Sequence, residues 1–207
     1  YQVVSIDQSI PLPDYVFYPN SDTDKTAVEW TVDDLNVAEV ATTTDANGKV
    51  SGTVKAKAAG VAVVKLQVVG KTEVNAAFRL IVRPTNEPKN CKADATYNSV
   101  SLSWSPVADA NGYTITRKVE GSDTEQTIAH VDGTDTVSYK DTAAQTGISY
   151  IYHVYAYTKY TNNGQTDYAN TDAYASVKAT PQLGKAAMTS VTAEGYSSLT
   201  LKWEKVD

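Results

Sequence analysis

Cysteine is almost missing from this 207-residue chain, where Cys91 stands alone. A single thiol excludes an intrachain disulfide and any metal cluster built on thiolates. Histidine is nearly as scarce, with only His130 and His153, so a catalytic set built on imidazole has just two starting points. No apolar run approaches the ~20 residues that cross a bilayer as a helix, and no membrane-spanning segment is expected. No basic stripe is present either; 18 Lys and Arg against 24 Asp and Glu leave a net charge of −6. Nucleic-acid affinity rests on cations that neutralise phosphates, which removes nucleic acid as a partner and disfavours an anionic membrane surface. There is no G-x-S-x-G turn, phosphate loop or dinucleotide fingerprint. The basic start of a signal peptide is also lacking, so the expectation is that residue 1 lies inside a longer or processed protein.

What the chain has in quantity is threonine, 26 residues, and tyrosine, 14 residues. β-branched and aromatic side chains pack well on a pleated surface. The best helical stretch, Thr53 to Gly60, is cut short by Gly60 and a β-branched run. The reading is all-β, and the length suits two sandwiches of about 90–100 residues each. Without disulfides, such sandwiches fit a cytosolic protein or a bacterial surface protein that relies on packing alone.

One stretch occurs twice. Ser99-Val100-Ser101-Leu102-Ser103-Trp104 returns as Ser198-Leu199-Thr200-Leu201-Lys202-Trp203. Placing Trp104 on Trp203 also pairs Tyr97 with Tyr196 and Val107 with Val206. A copied strand that carries a tryptophan describes a string of similar β modules.

Residues 1–83 form the first unit. Strands are expected at Val3–Ile6, Tyr15–Tyr18, Ala27–Val32, Val37–Val40, Gly60–Val68 and Ala76–Val82. In Ala27–Val32 the apolar set is Val28, Trp30 and Val32, so Trp30 should enter the core. Pro19-Asn20 leading to Trp30, Val37-Ala38-Glu39-Val40, Asn47-Gly48-Lys49-Val50, Val54-Lys55-Ala56 and Ala59-Gly60-Val61-Ala62 fall in order. That order resembles a bacterial immunoglobulin-like domain of group 2, the kind found in intimin- and invasin-like surface proteins.

Arg83-Pro84-Thr85-Asn86-Glu87-Pro88 reads as a short, stiff joint (linker 84–88), since two prolines fix φ and remove amide donors. Residues 89–181 form the second unit, in which Cys91 is expected as a small buried apolar residue. Leu102-Ser103-Trp104, Ala110-Asn111-Gly112-Tyr113-Thr114-Ile115, Tyr139-Lys140-Asp141-Thr142 and Gly147-Ile148-Ser149-Tyr150 carry a further resemblance, extended by Tyr152, Val154 and Ala156. Together they resemble a fibronectin type III domain of the bacterial sort. The resemblance implies a core tryptophan at Trp104, a packed Tyr113 and a tyrosine-corner role for Tyr150. In this register Tyr150, Tyr152, Val154 and Ala156 point inward, while Ile151, His153, Tyr155 and Tyr157 point outward. Residues 182–207 read as the first two strands of another such unit. Its Trp203 needs a facing sheet, so this piece should pack on its neighbour, pair with another chain, or be loosely held.

Chemistry is thinly represented. His130 and His153 read as solvated side chains. Asp22-Thr23-Asp24, Asp33-Asp34, Asp132-Gly133-Thr134-Asp135 and Asp167 have oxygen ligands that calcium takes. None follows an EF-hand pattern, and turn aspartates usually bond their own backbone. No enzymatic activity, cofactor or metal is expected. The candidate binding surface is a tyrosine stripe, because eight of the 14 Tyr lie between Tyr139 and Tyr174. Tyr155 and Tyr157 should face solvent beside Thr114 and Thr116, joined by His153 and by Tyr160 and Asn163 of a recognition loop over residues 159–167. The alternative is that these residues stabilise the sheet through cross-strand pairs. The expected function is a non-catalytic spacer or stalk, acting in adhesion, in an extracellular or surface-attached bacterial protein with further tandem domains. Its ligand would be a protein or glycan. The competing expectation is an accessory region, linker or carbohydrate-binding, of an extracellular polysaccharide-degrading enzyme.

Overall fold

The computed structural model describes residues 1–16 and 27–205, with the side chains of 72–74 outside the description. Among these residues every regular element is a strand. The first seven are β1 (Gln2–Ser5), β2 (Ser9–Pro11), β3 (Val28–Val32), β4 (Ala38–Thr44), β5 (Val50–Ala56), β6 (Gly60–Val68) and β7 (Lys71–Arg83). They form two sheets, ordered β1-β7-β6-β3 and β2-β5-β4. β1 runs parallel to β7 and the remaining pairs are antiparallel. Alternate residues of each strand face the space between the sheets. Val54, Ala56, Ala62, Val64, Leu80 and Val82 fill it, as the period of two in β5, β6 and β7 requires. Trp30 is half-buried and packs against two adjoining apolar clusters of this core.

One expected strand is displaced. Tyr15 and Val16 are not in a strand, and Phe17 to Asp24, with the acidic pair there, lie outside the described residues. The strand before β3 is instead β2, whose Ile10 pairs with Val54. Residues 53–56 of the best helical stretch, Thr53 to Gly60, belong to β5.

The next eight strands are β8 (Lys92–Ala95), β9 (Val100–Ser103), β10 (Gly112–Val119), β11 (Gln126–Asp132), β12 (Ser138–Asp141), β13 (Tyr150–Asn162), β14 (Gln165–Asn170) and β15 (Ala175–Ala179). Sheet β12-β9-β8 faces sheet β11-β10-β13, with β14 and β15 both paired to β13. β15 takes the first half of β13, from Tyr150 to Val154, and β14 takes the second, from Tyr157 to Asn162. Trp104 (5% exposed) packs edge-on to Tyr113 at 5.2 Å between the sheets. Leu102, Ile115, Tyr152 and Val154 complete this core. Cys91 precedes β8 and is half-buried at the core's margin; burial pushes its thiol pKa up. The chain is thus all-β, built as tandem immunoglobulin-like β-sandwiches.

β16 (Met188–Ala193) and β17 (Leu199–Trp203) form a two-stranded hairpin. Register places Met188 beside Trp203, Val191 beside Leu201 and Ala193 beside Leu199, so one face is apolar. That face is bare, with Trp203 65% exposed. Of the three arrangements expected for this segment, packing on its neighbour is not found: no side chain in either strand is buried.

Candidate functional site

β13 is 13 residues long, longer than the sandwich it serves, and this length places both surfaces of interest. β10 accompanies it only as far as Gly112 opposite Tyr157. Beyond that point β13 and β14 continue as a two-stranded arm closed by Asn163-Gly164, with φ of 48° and 79°. Positive φ at both central residues is the two-residue hairpin turn whose twist matches its strands. The segment expected as a recognition loop is therefore a β-hairpin, and Asn163 is where the turn demands a residue tolerant of positive φ.

The arm lies on the first sandwich. Along β13 even-numbered residues face the second core, and the same parity turns Thr158 and Tyr160 toward β6 and β7. Tyr160 is buried with Ala169, Ile81 and Val61, and its ring lies 5.7 Å from that of Tyr1. Its hydroxyl donates to Asp167 Oδ2 at 2.9 Å, and burial together with that carboxylate pushes its pKa up. Thr158 Oγ1, also buried, donates to the carbonyl of Val82 at 2.7 Å. Arg79 donates to Thr161 O, and Arg83 reaches both Asn170 O and Asp172. Tyr160, expected on an exposed loop, is part of the contact between sandwiches.

The outward face of the second sandwich is also more covered than alternation implies. Parity directs His153, Tyr155 and Tyr157 away from the core, yet His153 and Tyr157 are buried, as are Thr114 and Thr116. The covering groups are large side chains from neighbouring strands. Tyr157 crosses over Gly112 to donate to Asp132 Oδ1 at 2.6 Å, with Tyr168 packed edge-on to it at 4.8 Å. A Cβ at Gly112 would stand 2.5 Å from the Tyr157 oxygen and 2.1 Å from Val131 O. Gly112→Ala should therefore destabilise the second sandwich by about 2 kcal/mol, the overpacking range. Urea unfolding would show it, and an unchanged midpoint would contradict the crossing geometry.

His153 Nδ1 meets Glu125 Oε1 at 2.8 Å, and Thr116 Oγ1 donates to the same oxygen. Burial alone would raise the Glu125 pKa, but these two bonds outweigh it and hold the carboxyl below its ordinary value. Tyr174 leans on His153 at 4.2 Å and on Tyr155 at 5.0 Å. On the other side of Thr114, His130 stacks flat on Tyr168 at 3.7 Å and 5°. Thr114 Oγ1 donates to Asn170 Oδ1 at 2.7 Å and so accepts from His130 Nδ1 at 3.0 Å. That fixes the imidazole as the Nδ1–H tautomer, and burial lowers its pKa further than Asp132 raises it. Of His153, Tyr155, Tyr157 and Tyr160, Tyr155 alone stays half-exposed, while Asn163 is exposed at its turn. Tyr168, Tyr174 and His130 complete the accessible ledge. Sequence alternation could not find them, since Tyr174 lies in the break between β14 and β15 and the other two lie on separate strands.

The core tyrosines use their hydroxyls on backbone. Tyr113 Oη accepts from Val107 N and donates to Thr134 O, both at 2.8 Å. Tyr150 Oη accepts from Gln145 N at 3.2 Å. The indole N–H groups of Trp30 and Trp104 are buried with no partner among the described residues. Turn carboxylates bond backbone amides: Asp34 accepts from Asn36 N within its own turn, and Asp33 accepts from Val63 N of β6. Among the described residues no three His, Cys, Asp or Glu side chains group as metal ligands, and no helix is long and apolar enough to cross a membrane.

No protein-family model matches the chain, and no curated protein matches it in sequence. Several solved structures are similar to parts of it. A fibronectin type III-like protein from Clostridium thermocellum is 29% identical over 49% of this chain and 98% of its own, with a TM-score of 0.33. A crystal structure of titin domains is 14% identical over 87% of this chain and 61% of its own, with a TM-score of 0.41. A redesigned β-sandwich protein is 18% identical over 47% of this chain and 95% of its own, with a TM-score of 0.36.

Proposed function

We infer that this chain is a non-catalytic spacer, a stiff segment of a bacterial surface or secreted protein that holds other domains apart and serves adhesion. In this reading residues 1–83 are a group 2 bacterial immunoglobulin-like domain, 84–88 the joint and 89–181 a fibronectin type III domain. Residues 182–207 open a second fibronectin type III domain. The hairpin supports that last assignment, because Leu201 and Trp203 repeat Leu102 and Trp104 and present an apolar face that in the complete sandwich is covered.

The observation that carries the reading is the packed joint. A spacer works only if its modules cannot fold back on one another. Two prolines restrict the linker, and Pro84 and Pro88 are both buried. The β13–β14 arm then adds a second attachment away from the linker, with an apolar centre at Ile81 and Tyr160 and an arginine rim at Arg79 and Arg83. Two attachments resist bending where one would act as a hinge. β1 adds to this: it is a parallel partner of β7, so pulling at the start of β1 and the end of β7 loads their hydrogen bonds in shear, all at once.

Small-angle scattering tests the reading. A compact globule of this length has a radius of gyration of about 17 Å, and the spacer should exceed it clearly. The double variant Thr158→Val, Tyr160→Ala should broaden the distance distribution while each sandwich keeps its melting temperature within about 5 °C, as loss of one interface predicts. A parent that scatters as a globule, or a variant indistinguishable from the parent, would count against a rigid joint. The second reading, an accessory region beside a polysaccharide-degrading domain, is favoured by the exposed ledge around Tyr155 and Tyr174.

A further inference from the structure

The aromatic ledge has a composition that the sandwich does not need for its own closure. Tyr174 and His130 are exposed and Tyr155 and Tyr168 half-exposed, on the face away from the core. They form two aromatic groups, Tyr155 with Tyr174 and His130 with Tyr168, on either side of the Thr114–Asn170 hydrogen bond. The floor is already rigid, because Thr114 is held by both His130 and Asn170. Asn170 Nδ2, His130 Nε2 and the Tyr155 hydroxyl have no partner among the described residues. They offer two donors and an acceptor beside apolar ring faces.

Charge narrows the choice of partner. The carboxylates near the ledge are already engaged within the sheet: Glu125 bonds His153 and Thr116, and Asp132 bonds Tyr157 and Lys159. Neither tyrosine nor asparagine brings charge to the ledge, and the protein's net charge is −6. An anionic polymer meets general repulsion from the protein. A neutral sugar ring has what the ledge lacks: C–H faces that lie on tyrosine and hydroxyls that pair with an amide and an imidazole. The geometry points to this ledge as a binding surface for a neutral polysaccharide, with Tyr155 and Tyr174 as the platform and Asn170 and His130 as the polar contacts.

This inference is independent of the spacer reading, since scattering tests one and glycan retention the other. Affinity electrophoresis of the whole chain through gels containing hydroxyethylcellulose, galactomannan or polygalacturonate is the experiment. The expected result is retardation by at least one neutral polymer and none by polygalacturonate. Tyr155→Ala with Tyr174→Ala should weaken retardation at least tenfold, and Tyr97→Ala, at an exposed tyrosine outside the ledge, should leave it unchanged. Tyr174→Ala alone, at an exposed residue between strands, reads the same surface if the double variant unfolds. No retardation by either neutral polymer, retention by polygalacturonate alone, or equal retention of parent and Tyr174→Ala would overturn it.

Discussion

Replacing Trp104 by alanine should destabilise the second sandwich by about 4 kcal/mol, whereas the same change at Trp203 should alter its stability by less than about 0.5 kcal/mol. The two residues share a sequence context, so the contrast isolates burial. Trp104 is enclosed by Tyr113, Leu102 and the rest of that core, and its removal leaves a void that a close-packed interior cannot refill. Trp203 has 65% of its surface in solvent and no facing sheet, so its removal costs little transfer energy. Trp104→Phe should fall between these values: it leaves a smaller void and also removes a buried N–H that has no partner. Urea denaturation followed by far-ultraviolet dichroism measures all three. Equal losses at positions 104 and 203 would mean that the hairpin face is covered in solution.

How far the sequence could be read depended on whether a feature was local. The tryptophan strands, the alternation that sends Tyr150 and Tyr152 inward and the glycine at the Asn47-Gly48 turn all rest on neighbours a few residues apart. Parity correctly separated the two faces of β13. It could not say which outward residues would be covered, because cover comes from other strands: Tyr168 and His130 for Tyr157, Glu125 and Tyr174 for His153. Gly112 makes this possible by lacking a side chain opposite Tyr157.

Tyr160 was misplaced for a different reason. Its surroundings, Ile81 and Tyr1, lie some 80 and 160 residues away in the chain, beyond any local pattern. The Asn163-Gly164 signal was available, since that dipeptide between alternating residues marks a hairpin. The polar run around it made the segment resemble an open loop.

Asp141→Ala should cost the second sandwich about 3–5 kcal/mol, the range for removing one partner of a buried ion pair. Asp141 sits at the end of β12 and is almost fully buried, facing Arg117 of the opposite sheet. One oxygen accepts from Arg117 Nη1 at 2.7 Å and from the Tyr152 hydroxyl at 2.8 Å; the other takes the Ala143 amide at 2.9 Å. Burial is the largest influence on both partners of this carboxylate. It raises the Tyr152 pKa, reinforced by Asp141, and it opposes the guanidinium charge, which the bond to Asp141 more than restores. Removing the carboxylate strands a cation beneath the Tyr150 ring, where a 4.8 Å cation–π contact is its remaining support. It also leaves a buried phenol with no acceptor. The double variant Arg117→Met, Asp141→Ala should regain part of the loss, because the uncompensated charge is gone. The exposed pair Lys178–Glu120 supplies the comparison: Glu120→Ala should shift stability by less than about 1 kcal/mol. If Asp141→Ala proved as mild as Glu120→Ala, the carboxylate would have to be hydrated, and the two sheets would not be clamped at this end.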